Sequence, residues 1–360
     1  MSEAELDRAD ALRARARVYG LLAHLVLRGL DAERLATHRA LGWLVPEHDE
    51  LELGAALDLD LDAVAADHHR WFQLELFPYA GVYLDPSARA GAWAERVRHH
   101  YARAGFRPRL DELAADHLGI ELAFASFVSA AASEALDDGH VELADQLLDG
   151  LLAFFDEALL SWLPALVAAA ESLGPETYWT QVIHAILELV AEHRQALVRR
   201  PDQHQRSAPG LAPSEDILAD HRTGLRRVAE HLLVPAASGL GLTRADLARL
   251  GRNRALPRGF GSRLIMLDNL LRSAVDYGQL DALLADLRAL VGERDTRYAE
   301  LTSSLGLGPA LDPWRAALTA TQALLDTIAA AAPHTLADPQ PPHEAQPWTS
   351  KPSTTTPPAP

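Results

Sequence analysis

Histidine and carboxylate side chains carry most of the reactive chemistry in this 360-residue chain. His117 and Glu121 stand four apart, as do His184 and Glu188. On a helix that spacing puts both members on one face, within reach of a shared metal ion. A single pair supplies only two ligands, so ordinary surface or capping roles are the expectation and no metal or other cofactor is called. The adjacent pairs His68-His69 and His99-His100 point about 100° apart on a helix, so neither forms a bidentate site. There is no cysteine, which excludes disulfides, thiolate nucleophiles, Fe–S clusters and zinc–thiolate sites. Gly-rich phosphate loops, nucleophile elbows and zinc-protease helix motifs are also missing from the sequence. The expectation is a protein without catalysis.

Two short stretches offer recognition chemistry instead. One runs Leu76-Phe77-Pro78-Tyr79-Ala80-Gly81-Val82-Tyr83-Leu84-Asp85. Its Pro78, Gly81 and Pro86 argue for a loop rather than a regular helix. Its two tyrosines need hydrogen-bond partners if buried. The other runs Asp116-His117-Leu118-Gly119-Ile120-Glu121-Leu122-Ala123-Phe124. It reads as a helix start, with Asp116 near the positive end of the dipole and His117 one residue inside, free to donate to a ligand or a loop carbonyl.

The elements that must hold these stretches are helices. Ala, Leu and Arg dominate, all strong helix formers, and alternating β-branched runs are sparse. An apolar stripe through Leu12, Val18, Leu21, Leu22 and Leu25 marks a helix over residues 4–29, and a second runs to about His38. Further helices are expected over 60–76, from the Asp85–Ser87 cap to Ala104, from Asp111–Asp116 to Leu136, and over 140–160 and 175–199. Gly105 is placed to end one of them in a left-handed cap, with Phe106 packing back. Ser161-Trp-Leu-Pro164 marks a break. Apolar runs around Leu21–Leu27 and Leu163–Ala170 are too short to span a bilayer, and the acidic start Met1–Asp7 has no signal-peptide pattern. A cytoplasmic protein without membrane insertion follows as the expectation.

Charge divides the chain. Residues 1–200 hold 33 acidic and 17 basic residues, whereas 201–360 hold 17 and 16. An acidic first half repels nucleic acid and anionic membranes and attracts basic ligands. The breaker-rich stretch from Arg199 to Gly210 places a linker at 201–213. The expected organisation is therefore an all-α helical bundle over 1–200, a second helical region over 214–332, and a Pro/Thr-rich tail over 333–360 that lacks order.

The two stretches, taken together, resemble the TorD/DmsD/NarJ family of redox-enzyme maturation chaperones. Members carry a Leu-Phe pair, a segment like Pro-Tyr-Glu-Ser-Val-Tyr-Leu, and then Glu-Pro-Asp-His-Leu-x-x-Glu-Leu-x-Phe-Met. Leu76-Phe77, Pro78-Tyr79, Val82-Tyr83-Leu84-Asp85, Asp116-His117-Leu118 and Glu121-Leu122-Ala123-Phe124 match in order. The Tyr101…Ala104-Gly105-Phe106 ending also fits, and the resemblance covers about residues 10–200. Ala80-Gly81 replaces Glu-Ser, Ala114-Ala115 replaces Glu-Pro, Ala125 replaces Met, and the insertion between Phe77 and Pro78 is missing. The lost loop glutamate removes one acidic contact to a ligand.

The resemblance implies an all-helical chaperone that binds the twin-arginine leader or N-terminal segment of a molybdopterin oxidoreductase catalytic subunit. Guanidinium groups favour carboxylates in fork geometry, and an apolar leader helix favours an aromatic-lined groove. By family match Leu76, Phe77, Pro78, Asp116 and His117 are the expected peptide-binding residues, followed by Tyr79, Tyr83 and Glu121. Trp71 joins them from its position one turn before the loop.

The second region reads differently. Thr243 and Asp246 have the spacing of a capping box, and Pro257–Ser262 turns into a further helix. Residues 243–272 carry seven arginines and two acids. That composition offers an alternative, a DNA-binding regulator using Arg244, Arg249, Arg252 and Arg258. The preferred reading is a docking or dimerisation module, which allows a homodimer.

Overall fold

A computed structural model describes residues 3–33, 35–36, 60–85, 91–108, 113–174, 177–198, 217–220 and 222–331. The expected linker, the tail, the Pro86–Ser87 cap and the end of the second helix lie outside these. Among the described residues the fold is all-α. Helix α1 spans Glu3–Arg28. Helix α2, Leu61–His69, is capped by Asp60 and runs on into a π-helical turn, Arg70–Glu75. Then come α3 (Ala80–Leu84), α4 (Ala92–Arg103), α5 (Leu118–Asp137), α6 (Val141–Glu157), α7 (Leu163–Glu171) and α8 (Tyr178–Leu197). The second region adds α9 (Leu225–Leu233), α10 (Pro235–Ser238), α11 (Arg244–Asn253), α12 (Arg263–Asp276), α13 (Leu280–Leu305) and α14 (Gly308–Ala331).

Helices α1 and α5 form the spine of the first region. Small residues let their backbones come close. Ser126 Oγ donates to Ala16 O at 2.7 Å and Ser133 Oγ donates to Ala9 O at 2.8 Å. These pairings run in opposite chain directions, so the helices are antiparallel. At the far end a Cβ on Gly119 would stand 2.5 Å from Leu27 Cγ. Only glycine permits that approach at the start of α5.

Three expectations need correction. The stretch between Pro78 and Pro86 contains one helical turn, α3, because both prolines lie outside it. Helix α5 opens at Leu118, later than expected, so His117 is its N-cap and Asp116 precedes the cap. The apolar run after Ser161 is a buried helix of its own, α7, with Pro164 in its first turn, where a missing N–H costs nothing. By length and composition, α5 (Leu118–Asp137) and the segment Val141–Glu171, which spans α6, the break and α7, are long and apolar enough to cross a bilayer. Their most apolar 18-residue stretches are 67% and 89% buried inside the fold, as in core helices.

Other sequence signals are read directly. Gly105 takes φ +73° after α4, and the Phe106 ring meets Tyr101 at 5.1 Å. Thr243 and Asp246 make both bonds of the capping box. Ser262 caps α12.

The second region shares the hydrophobic core of the first, which runs without a break from Ala9 to Leu325. Trp314 Nε1 donates to Ser161 O at 2.9 Å. Arg297 pairs with Glu171 at 2.7 Å, and Ser172 Oγ donates to Asp246 Oδ2 at 3.2 Å. Helices α13 and α14 pack as an antiparallel hairpin, bound by Arg315–Asp295 and Arg288–Asp326. This region therefore lies against α7 and α3, directly behind the Leu76–Asp85 stretch.

Candidate functional site

The two recognition stretches are joined by backbone bonds. Tyr79 and His117 form an isolated antiparallel bridge. Ala80 N–H donates to Asp116 O at 3.0 Å, and Leu118 N–H donates to Pro78 O at 2.9 Å. The Asp116 carboxylate accepts from Gly81 N–H at 2.8 Å. It thereby satisfies a donor at the start of α3, where negative charge is favoured. His117 Nδ1 accepts from Gly119 N–H at 3.1 Å, capping α5. The Tyr79 ring stands edge-on to His117, with centroids 4.8 Å apart.

A layer of aromatics supports this seam. Tyr83 OH donates to Leu76 O at 3.0 Å, and Tyr101 OH donates to Ala115 O at 2.9 Å. Tyr83 packs on Trp162 at 5.4 Å, and Trp162 Nε1 donates to Glu121 Oε2 at 3.2 Å. Glu121 is wholly buried, and its Oε1 has no hydrogen-bond partner. Burial, helped by the charge of Asp116, pushes its carboxyl well above the ordinary range, while the Trp162 bond opposes this. A neutral acid is the form such a place tolerates.

The nine expected residues therefore fall into three groups. Phe77 and Tyr79 are half-buried at the surface. Pro78, Asp116 and His117 are buried in the seam. Trp71, Leu76, Tyr83 and Glu121 lie in the core beneath. Asp116 and Glu121 each give one carboxylate oxygen to a neighbour, Gly81 N–H and Trp162 Nε1–H, in this conformation. His117 and Glu121, the first metal pair, bond to different partners, and His184 meets Glu171 at 2.7 Å rather than Glu188. No group of three or more potential metal ligands occurs among the described residues.

Burial holds His117 at about 4, with nearby His68 lowering it further. The unfolded histidine binds its proton near 6.5, so between these values only the unfolded chain is protonated. The stabilisation from a neutral His117 is therefore complete above 6.5 and is lost as pH falls toward 4, a loss of about 2 kcal/mol near pH 5. His193, buried against Tyr19 and lowered to about 3, adds to the loss in the same direction. Glu121 opposes it, because its raised pKa favours the folded chain at acid pH. His117→Asn keeps an N-capping acceptor but removes the titration. Denaturant unfolding at about pH 7.5 and about pH 5 should show a pH-dependent loss smaller by about 2 kcal/mol in this variant than in the parent. An identical loss in both would remove His117 from the acid sensitivity.

A separate groove, missed by sequence reasoning, lies between α4, α5 and α6. It has a volume of about 830 Å³, with Phe124, Val128, Leu147 and Leu151 among its apolar lining and Asp149 and Glu157 among its acids. Leu143 beside it is 49% exposed. Its signal in the sequence is faint, since α6 reads there as an ordinary amphipathic helix. Arg263 was also missed. It arrives from α12 to lie over the Phe77 ring, 5.7 Å from its centroid, a contact no local pattern could announce.

Four of the seven arginines of residues 243–272, including Arg249 of the four named for DNA, are engaged within the fold. Arg249 pairs with Asp246, Arg254 with Asp286 through two bonds, and Arg272 with Asp268. Arg263 donates to Leu242 O. This use of charge lends no support to a DNA-binding surface.

Comparison with known proteins bears on the same segment. No curated protein and no solved structure matches the chain. One family model, described as nitrate reductase delta subunit, matches residues 44–168, which contain both recognition stretches and the intervening α4. With the motif order and the all-helical fold, this match, over about a third of the chain, makes the segment similar to the nitrate reductase delta subunit family and supports its resemblance to the NarJ/TorD-type chaperones.

Proposed function

We propose that this chain is a non-catalytic cytoplasmic chaperone of the TorD type, binding the leader or N-terminal segment of a molybdopterin oxidoreductase catalytic subunit. It would hold that segment until the subunit is mature and ready for export or assembly. The observation that carries the reading is the joining of the two family stretches through the Tyr79–His117 bridge, inside the segment that the family model matches. A fixed seam with half-buried aromatics at its surface suits an apolar peptide that orders on binding. The acidic first half suits a basic leader. The α4–α6 groove offers apolar lining to a leader helix, with the carboxylates of Asp149 and Glu157 beside Arg103 and His100.

The test is affinity capture of the full chain from its native host, followed by mass spectrometry. Recovery of a molybdopterin oxidoreductase subunit with its N-terminal segment intact, lost when that segment is deleted, supports the reading. Equal recovery of the truncated subunit contradicts recognition through the N-terminal segment. Enrichment of duplex DNA instead would favour the regulator.

A further inference from the structure

Phe77 holds an unusual backbone conformation. Its φ is +49°, in the left-handed region. A bulky residue there is an outlier, and a residue before proline is normally extended. Such a conformation is strained and persists only where its surroundings over-determine it. Two restraints come from the first region. Tyr79 N–H donates to Phe77 O at 2.8 Å, and Leu118 N–H donates to Pro78 O at 2.9 Å.

The third restraint comes from the second region. The guanidinium of Arg263 lies over the Phe77 ring at 5.7 Å, within cation–π range. Its Nη1 donates to Leu242 O at 2.9 Å, which fixes the side chain in place. Glu75 is the carboxylate whose charge acts on it, but Glu75 accepts from Arg244 N–H at 2.9 Å at the start of α11. Among the described residues, no ion pair within 4 Å involves Arg263. It meets an aromatic face and a carbonyl, both of which a planar guanidinium suits.

We infer that Arg263 is a positioning residue for the peptide-binding loop: it fixes the left-handed Phe77–Pro78 turn, so that the second region completes the recognition surface of the first. This rests on the proposed peptide-binding role of Phe77. It gives the second region a part in recognition without nucleic acid.

The test uses the full chain and four variants, Arg263→Met, Arg263→Lys, Phe77→Ala and the Arg263→Met/Phe77→Ala double. In the free protein, hydrogen exchange is followed at the Tyr79 amide, with α7 amides as a control for global destabilisation. Arg263→Met should speed Tyr79 exchange at least about tenfold with α7 unchanged, and Arg263→Lys, which keeps the cation on the ring, by less than about threefold. Binding is measured with a synthetic peptide carrying two adjacent arginines followed by an apolar stretch. Arg263→Met should weaken it about tenfold in the parent but less than about twofold in the Phe77→Ala background, since coupled residues are not additive. Unchanged Tyr79 exchange, or an equal loss of binding in both backgrounds, overturns the inference. If the parent does not bind the peptide while Tyr79 exchange rises as stated, leader recognition fails and the positioning role stands.

Discussion

Trp162→Ala should destabilise the protein by about 3–5 kcal/mol, the usual cost of truncating a buried tryptophan. Trp162 is wholly buried, packs on Tyr83 in a tilted arrangement, and gives Glu121 the hydrogen bond to its Oε2. Truncation opens a cavity below the Leu76–Asp85 stretch and leaves both Glu121 oxygens without a donor. The loss should be read by denaturant unfolding at neutral pH. Trp162→Phe shifts the balance between the two effects, because it keeps an aromatic ring and leaves a much smaller cavity while removing the N–H. Its expected cost is about 1–3 kcal/mol, the penalty for an unsatisfied buried acceptor. A loss below about 1 kcal/mol for the alanine variant would mean that the aromatic layer does not support the seam.

Trp314→Ala should cost about as much, about 3–5 kcal/mol, and should act on both halves of the chain. The indole is 1% exposed on α14, and its N–H ends on Ser161 O, in the break between α6 and α7. Through this contact the second region satisfies a buried carbonyl of the first. Native-state hydrogen exchange should therefore show α7 and α13 losing protection together. Loss confined to α13 and α14, with α7 unaffected, would mean that the two regions unfold as separate units despite their continuous core.

What could be read from the sequence was local. Thr243 and Asp246 announced the capping box, and Gly105 announced the end of α4, because each acts within a few residues. The Leu76–Asp85 and Asp116–Phe124 stretches could be paired only through the family resemblance. The bonds that join them, from Ala80 to Asp116 and from Leu118 to Pro78, are backbone bonds that no residue type specifies. The roles inside the stretches were harder. Glu121 and Asp116 read as charges free for a ligand, yet one is buried beneath Trp162 and the other accepts from Gly81. A carboxylate in a sequence does not reveal which neighbour takes its lone pairs. His117 was placed inside the helix, and it caps it instead. Arg263 was one arginine among seven until the fold laid it on Phe77.

The resulting picture links structure to role through one seam. Small residues let α1 and α5 pack closely, and their packing fixes the start of α5. That start holds the Leu76–Asp85 stretch by its backbone, and the second region braces the same stretch from behind. Such a fixed platform lowers the ordering cost of binding a flexible segment.

The most direct measurement is the molybdenum content of the oxidoreductase subunit proposed as partner, purified from hosts with and without this chain. A maturation chaperone predicts that the catalytic subunit made without it carries clearly less than one molybdenum per subunit, and that restoring the full chain restores the metal. Full molybdenum loading in its absence would contradict the account.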